Sequence, residues 1–538
     1  MPTLNWIGKE KVVTHHQDVQ YRVLEHKYGF TSNPSTGSGK EQKEPVNSGN
    51  KIIHGDNLEA LKSLLPEYEG KIDIVYIDPP YNTGGENWIY NDNVNHPKVN
   101  KWLGEVVGKD GEDLSRHDKW LCMMYPRLKL LHSLLSKDGV ILISINFANE
   151  HHHLKCICNE IFGEKNYLGD LTWESTTQPI NSGSSRFNLQ QKTEPILFYC
   201  KNKKFQSGFI LEEIESGFKY PHQGTLGKCR FEIIEKSDAG DYQRNTMKFP
   251  ILGQLPRKGK RWQIGEETAK DLNNRNRLEI INGVVKKAIY PNDELDKKKF
   301  FPFWSHFSAS EVGSALLGKD VLNEVMGQPV GFDTVKPPKL IEEILSHFPS
   351  DSIILDSFAG SGTTAHAALN LNKKDNGNRK FILVELEDYA EEITATRVKK
   401  ASTGYEFNGK KRDTVRTYPV NITNLKKADV ILAEFEKLKK NEKYSKVSIE
   451  SSNSEIAITA EIQTSGKTES LGGSFDFYEL GLPLFNNDQN LNEDVGLEKI
   501  REYIWFSETR TSFKKPNAEK HFLGKKDESV YYFIYEKN

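Results

Sequence analysis

The chain has 538 residues, 28% of them charged, with a formal net charge of −2; domains of about 100 to 200 residues make that about two to four units rather than one core. Five cysteines (Cys122, Cys156, Cys158, Cys200, Cys229) are too few, and odd in number, for a secreted disulfide framework. No apolar run reaches the roughly 20 residues that span a bilayer, and the opening MPTLNWIGKEKVV has no signal-peptide core, so the chain reads as cytoplasmic and without a membrane partner.

Taken in chain order, residues 31–50, TSNPSTGSGKEQKEPVNSGN, are almost wholly polar, Gly or Pro and read as a flexible segment of an N-terminal extension, 1–50. The GSGK within it is not a phosphate loop. Pro34 stands where the motif needs its first glycine, and Glu41 stands where Ser or Thr would hold magnesium.

From Lys51 the pattern becomes short apolar runs alternating with helical periods. KIIHGD predicts a strand, NLEALKSLL a helix and IDIVYI (72–77) a buried strand rich in β-branched residues. Trp120, Leu121, Met124, Leu128, Leu131, Leu134 and Leu135 share one helical face, and Gly139 is expected to break that helix before the strand VILISI. Strands alternating with helices predict a parallel sheet with helical crossovers, here over 51–165.

The rhythm is lost over about 166–325, which reads as an inserted domain of mixed structure. Residues 170–300 carry 23 Lys and Arg against 17 Asp and Glu, an excess that favours a polyanionic partner. Alternation resumes over 326–420: PPKLIEEILSHF (helix), SIILDSF (strand), GTTAHAALNL (helix), RKFILVEL (strand), DYAEEITATRVKK (helix). Residues 421–538, a Lys/Glu-rich helix followed by polar and aromatic stretches, read as a small separate C-terminal domain.

Two motifs carry chemistry. ILDSFAGSGTTAHAAL places Gly360 and Gly362 between a strand and a helix, where a missing Cβ lets a ligand approach the backbone and the helix start offers unpaired N–H groups. Glu385 follows at the end of the next strand, where an acid can take both hydroxyls of a ribose. An adenosine-bearing ligand fits, and a nicotinamide dinucleotide and S-adenosylmethionine remain open at this point.

The second motif, VYIDPPYNTG, puts Asp78 just beyond an apolar strand, at the carboxyl edge where open α/β sheets bind ligands. Pro79 and Pro80 fix φ and remove two N–H donors, leaving carbonyls that only accept. Asp78 and the Pro79 carbonyl can take the two hydrogens of an exocyclic amine while Tyr81 stacks on its ring. An aromatic amine is a poor nucleophile because its lone pair is delocalised; two acceptors out of the ring plane favour a tetrahedral nitrogen that can attack a sulfonium methyl in line, by positioning and oriented electrostatics and with no metal called for. His152 and Cys156, one helical turn apart in HHHLKCICNEIFG, suit zinc only in part, since no second ligand pair at finger spacing follows; a plain helix face is the reading taken.

DPPY (78–81) with FAGSGT (358–363) resembles the amino-DNA methyltransferases, and the order DPPY, long insertion, glycine motif resembles their circularly permuted β group. IDPPYNTG, GNRKFILVELEDY and RHDKWLCMMYPRL further resemble the modification (Mod) subunit of Type III restriction-modification systems, over about 50–405. The resemblance implies a Rossmann-like α/β sheet with an inserted target-recognition domain. It implies that Asp78, Pro79, Pro80 and Tyr81 hold the target amine and base. It also implies that Asp56, Lys336, Pro337, Asp356, Phe358, Gly360, Gly362, Thr363 and Glu385 bind S-adenosylmethionine.

An aspartate at position 78 usually accompanies adenine N6 in that family, where cytosine N4 enzymes more often carry serine; cytosine-N4 methylation is the alternative within the class. The implied partners are double-stranded DNA with the target base flipped out, a second copy in a homodimer, and a restriction (helicase-nuclease) subunit; a solitary methyltransferase is the alternative. NSGSSRFNLQQK (181–192) and LPRKGKRWQ (255–263) are the candidate DNA-reading stretches. One departure is visible: NFANE (146–150) stands where relatives carry a run of acids. A nicotinamide oxidoreductase would leave DPPY and the basic insertion without a role, and a DNA-binding protein without catalysis is the third reading.

Overall fold

The computed structural model describes all residues except 1–2, 84–100, 102–115, 180–186, 188, 215–218, 240–243, 295–298, 333, 420–427, 442, 452–454, 487, 489, 517–520 and 536–538. Apolar runs without a polar face must be covered on both sides, and that requirement organises the molecule: Ile74, Val75, Tyr76, Ile77, Ile141, Leu142, Ile143 and Phe381 to Val384 are all buried.

Among the described residues these runs join one 11-stranded sheet: β1 (Arg22–Asn33), β2 (Ser38–Gln42), β3 (Lys51–His54), β4 (Ile72–Ile77), β5 (Leu135–Ser144), β6 (Tyr167–Glu174), β7 (Thr193–Cys200), β8 (His306–Phe307), β9 (Ile353–Asp356), β10 (Lys380–Glu385) and β11 (Ser474–Pro483). Across the sheet they run β8-β6-β7-β5-β4-β9-β10-β3-β11-β1-β2. From β5 to β11 every neighbouring pair is parallel, the α/β arrangement expected. The β5–β7, β7–β6, β11–β1 and β1–β2 pairs are antiparallel.

Six helices matter for the site: α1 (Asn57–Tyr68), α2 (Arg116–Leu134), α3 (His151–Phe162), α4 (Pro338–Ser346), α5 (Thr363–Asp375) and α6 (Thr396–Thr403). The main apolar cluster joins α1, α2 and α3 to Val75 and Ile77 of β4 and Ile141 and Ile143 of β5. Alternate residues of the same strands, Ile74 and Leu142, face the other way.

Three local expectations are corrected. Gly139 does not end the helix: α2 stops at Leu134, and Gly139 lies inside β5, where a Cβ would meet the Ile72 carbonyl oxygen at 2.8 Å. The polar segment 31–50, expected to be flexible, is held in place. Its first part pairs across β1 and β2, and Val46 and Asn47 donate their N–H groups to Asp476 of β11 at 2.7 Å and 2.9 Å. The C-terminal stretch contributes β11 to the middle of the sheet, between β3 and β1, because its alternation FDFYEL supplies a buried face with Phe475 and Phe477.

The chain folds as two compact units, one of residues 1–210 and 304–538, the other Leu211–Phe303. The flanks of the 166–325 insertion thus supply β6, β7 and β8 to the large sheet. The smaller unit has a four-stranded antiparallel sheet and a core around Ile234, Ile251, Trp262, Leu278 and Val285. No helix among the described residues is long and apolar enough to cross a membrane.

Candidate active site

β4 ends at Ile77, so Asp78 leaves the sheet at its carboxyl edge. β9 pairs beside it in parallel, Ile354 opposite Ile74 and Leu355 opposite Val75, and ends at Asp356. Two segments far apart in sequence therefore deliver both motifs to neighbouring strand ends. Between them lies a cavity of about 320 Å³, lined by Asp78, Pro79 and Tyr81 from one motif and by Asp356, Phe358, Gly360 and Thr363 from the other.

Asp78 is held by a cation. Lys336 Nζ donates to Asp78 Oδ2 at 2.8 Å and Oδ1 at 3.0 Å, to the Tyr81 hydroxyl at 2.8 Å, and stands 3.5 Å from Glu194 Oε2. The Tyr81 hydroxyl lies 2.8 Å from Asp78 Oδ1 and 3.0 Å from Glu194 Oε2; having one proton, it donates to one carboxylate at a time. Burial opposes the charge on Lys336, but Asp78 and Glu194 outweigh it and keep the ammonium above its usual pKa. Burial and the same two carboxylates push the Tyr81 phenol well up, so it stays a neutral donor.

The two prolines divide their work. The Pro80 carbonyl accepts from the Trp120 indole at 2.7 Å, which fixes the loop, whereas Pro79 lines the cavity.

The glycine turn is braced from behind. Gly360 and Gly362 have φ of 51° and 80°, left-handed values that glycine adopts without a Cβ penalty. Thr394 Oγ1 donates to the Gly360 carbonyl at 2.6 Å, and the buried Arg397 donates to Ser361 Oγ and Thr363 Oγ1, both at 2.7 Å. Asp356 accepts from Thr364 Oγ1 at 2.5 Å and from the Phe358 N–H at 3.1 Å. Glu385 accepts from the N–H groups of Gly360 at 2.7 Å and Glu387 at 3.0 Å. Burial, only partly offset by these donors, raises both carboxyls to about 7.

One buried acid in the wall of an open cavity, Asp356, and a second behind its glycine turn, Glu385, suit a ligand that brings its own positive charge. S-Adenosylmethionine, with an ammonium and a sulfonium, meets that requirement. The volume lies in the range of about 300–1,000 Å³ usual for small-molecule sites.

Other expected residues stand outside the cavity wall. Asp56 caps α1 through the Leu58 N–H at 2.7 Å and pairs with Arg127 at 3.3 Å. Pro337 is the N-cap residue of α4, and Gly362 and Glu385 lie behind the turn that they shape. Lys336, expected beside the cofactor, does line the cavity, with its ammonium on Asp78.

Sequence reasoning missed Glu194, Trp173 and Asn146, all of which line the cavity. The available sign for Glu194 was an acid before a proline at the start of an apolar strand, TEPILFYC, whereas Asp78 stands before its prolines just past the end of one. Of the two stretches proposed to read DNA, 181–186 and 188 lie outside the described residues. In the other, Arg257 and Arg261 pair with the buried acids Glu235 at 2.6 Å and Asp238 at 3.5 Å.

A family model described as DNA methylase matches residues 72–396. The chain is 30% identical over 442 residues to the Mod subunit of the Type III restriction-modification enzyme EcoP15I of Escherichia coli, covering 72% of this chain and 64% of that one. It is 31% identical over 368 residues to the StyLTI Mod subunit of Salmonella typhimurium, covering 64% and 53%. It is also 31% identical over 370 residues to the Type II methyltransferase M.KpnI of Klebsiella pneumoniae, covering 63% and 82%. The chain thus spans less than two thirds of the length of these Mod subunits.

Proposed function

The chain belongs to the DNA methylase family, and from that footing we propose that it methylates adenine N6 in double-stranded DNA at a specific site, as the modification subunit of a Type III-like restriction-modification system. The observation that carries this reading is the shared cavity walled by Asp78 and Pro79 on one side and by Asp356 and the Gly360 turn on the other.

S-Adenosylmethionine, when bound, supplies a methyl group on a positively charged sulfur. Asp356, Phe358 and the Gly360–Thr363 turn are the residues that would hold it. Asp78 and the Pro79 carbonyl then accept one amine hydrogen each from a flipped-out adenine. Holding both hydrogens turns the nitrogen lone pair toward the glycine turn, and Asp78 is placed to take the proton that the amine loses.

Lys336 now occupies those same Asp78 oxygens, so it must yield them to the amine; Glu194, 3.5 Å away, and the Tyr81 hydroxyl offer it another seat. Once Lys336 has turned aside, Tyr81 presents its ring to the base. An aspartate at 78 favours adenine over cytosine N4, on the resemblance described above.

Sequence reading is assigned to the insertion, and the partners proposed are a second copy of the chain and a restriction subunit, in the cytoplasm. The wide overlap with M.KpnI, described as a Type II methyltransferase, supports a second reading, a methyltransferase outside the Type III class. Incubation of the full chain with DNA and methyl-labelled S-adenosylmethionine, followed by digestion to nucleosides and mass analysis, tests the chemistry. N6-methyladenine is expected; N4-methylcytosine would overturn the base assignment, and unlabelled DNA the enzyme assignment.

A further inference from the structure

Among the described residues His152 and Cys156 join no group of three or more close ligand side chains, but the folded chain gathers a different trio beside them. His117 near the start of α2, Glu150 at the N-cap of α3 and His153 in its first turn bring their ligand atoms within 4.8 Å of one another. His117 Nδ1 lies 2.6 Å from Glu150 Oε1, and His153 Nδ1 lies 2.8 Å from Glu150 Oε2. The Glu150 side chain is 0% exposed, while the two imidazoles are 39% and 34% exposed.

That burial creates an electrostatic demand. A carboxyl group taken out of water needs a charge or strong donors to compensate it. Among the described residues no lysine or arginine pairs with Glu150; its partners are the two imidazoles and Asn82 Nδ2 at 2.5 Å. Asn82 itself is buried, and its Oδ1 has no hydrogen-bond partner. The cluster therefore gathers two imidazole nitrogens and one carboxamide around one buried carboxyl group.

We propose that His117, Glu150 and His153 bind a first-row divalent transition-metal ion, with Zn²⁺ as the reference case. Two imidazoles and one carboxylate are a donor set that such ions accept, and the solvent-facing imidazole edges leave room for water to complete the coordination. Each ring gives its Nδ1 lone pair to the ion and keeps its proton on Nε2.

The role is structural. Asn82 directly follows the DPPY motif and also donates to the Arg116 carbonyl at 3.1 Å, while Asn149 Nδ2 donates to the Tyr81 carbonyl at 3.1 Å. An ion here ties α2 and α3 to the loop that carries Asp78 and Tyr81.

The rival is a hydrogen-bonded histidine–carboxylate cluster that holds no metal. The test uses the full-length chain, stripped with chelator and titrated with Zn²⁺ by calorimetry, with Co²⁺ as a coloured probe of coordination. The expected result is one ion per chain, with affinity at least about 10-fold weaker in His117→Ala and His153→Ala and unchanged in His152→Ala and Cys156→Ser. His153→Gln, which keeps a polar side chain of similar reach, replaces the alanine variant if the latter fails to fold by circular dichroism. No saturable Zn²⁺ binding, or wild-type affinity in the folded His153 variant, overturns the proposal.

Discussion

Lys336 Nζ stands 2.8 Å and 3.0 Å from the two carboxylate oxygens of Asp78, occupying the acceptors assigned above to the target amine. On the function proposed above, the pair is a lock that substrate must open. In Lys336→Met, Asp78 and Glu194 face each other across the Tyr81 hydroxyl without the ammonium that now bridges them. Methylation should fall about 10-fold, equivalent to about 1.4 kcal/mol, with affinity for S-adenosylmethionine within a few fold of the parent. A parental rate in the folded variant would mean that the ammonium does not position Asp78.

Glu194 gives Lys336 somewhere to go. Its Oε2 is 3.0 Å from the Tyr81 hydroxyl and 3.5 Å from the ammonium. Glu194→Gln keeps the shape and removes the charge, so Lys336 is held more tightly on Asp78. Methylation should fall about 10-fold, equivalent to about 1.4 kcal/mol, with affinity for S-adenosylmethionine unchanged. Equal losses in rate and cofactor affinity would place Glu194 in cofactor binding instead.

The two buried acids near the glycine turn make stability depend on pH. Asp356 and Glu385 are raised to about 7, mainly by burial, from ordinary values of 3.8 and 4.5. Between those limits the folded chain holds more protons than the unfolded chain, so their contribution is full at low pH and is lost as pH rises through about 7. Thermal melts across that window should show a shallower pH dependence for Asp356→Asn than for the parent. S-Adenosylmethionine brings positive charge and should expel protons on binding near pH 6.5, read by calorimetry in buffers of different ionisation heat. A binding heat independent of buffer would contradict this.

Gly362 combines two constraints. Its φ is 80°, and a Cβ would lie 3.2 Å from both the Thr394 carbonyl and its methyl group. Gly70 has φ 68° with nothing within 4 Å, so Gly70→Ala isolates the backbone cost, about 1–2 kcal/mol. Gly362→Ala should lower the melting temperature by more than Gly70→Ala and should alone weaken S-adenosylmethionine binding. Equal effects would remove the packing argument.

Strand and motif positions were legible where the signal is local. IDIVYI gave β4 to the residue, and SIILDSF and RKFILVEL contain β9 and β10, because strands buried on both faces need continuous apolar runs. Asp78 and Gly360 were legible for a similar reason: prolines and glycines at strand ends restrict the backbone whatever surrounds them.

What depends on distant pairing was not legible. Asp476 holds Val46 and Asn47 from β11, so no local composition of 31–50 announces an ordered segment. Lys336 reaches Asp78 because α4 follows the insertion and returns to the sheet, and Glu194 arrives on an antiparallel strand, β7, that the βα pattern does not foretell. His117 and His153 meet around Glu150 through the packing of α2 on α3, which a search for sequence spacing cannot detect.

The most direct measurement is single-turnover methylation of duplex DNA by Asp78→Asn, with S-adenosylmethionine and DNA affinities measured on the same preparation. Asparagine keeps the size but replaces one acceptor oxygen with a donor and removes the charge. The rate constant should drop by about 10²–10⁴-fold with both affinities within a few fold of the parent. A variant that methylates at the parental rate would show that Asp78 does not hold the reacting amine.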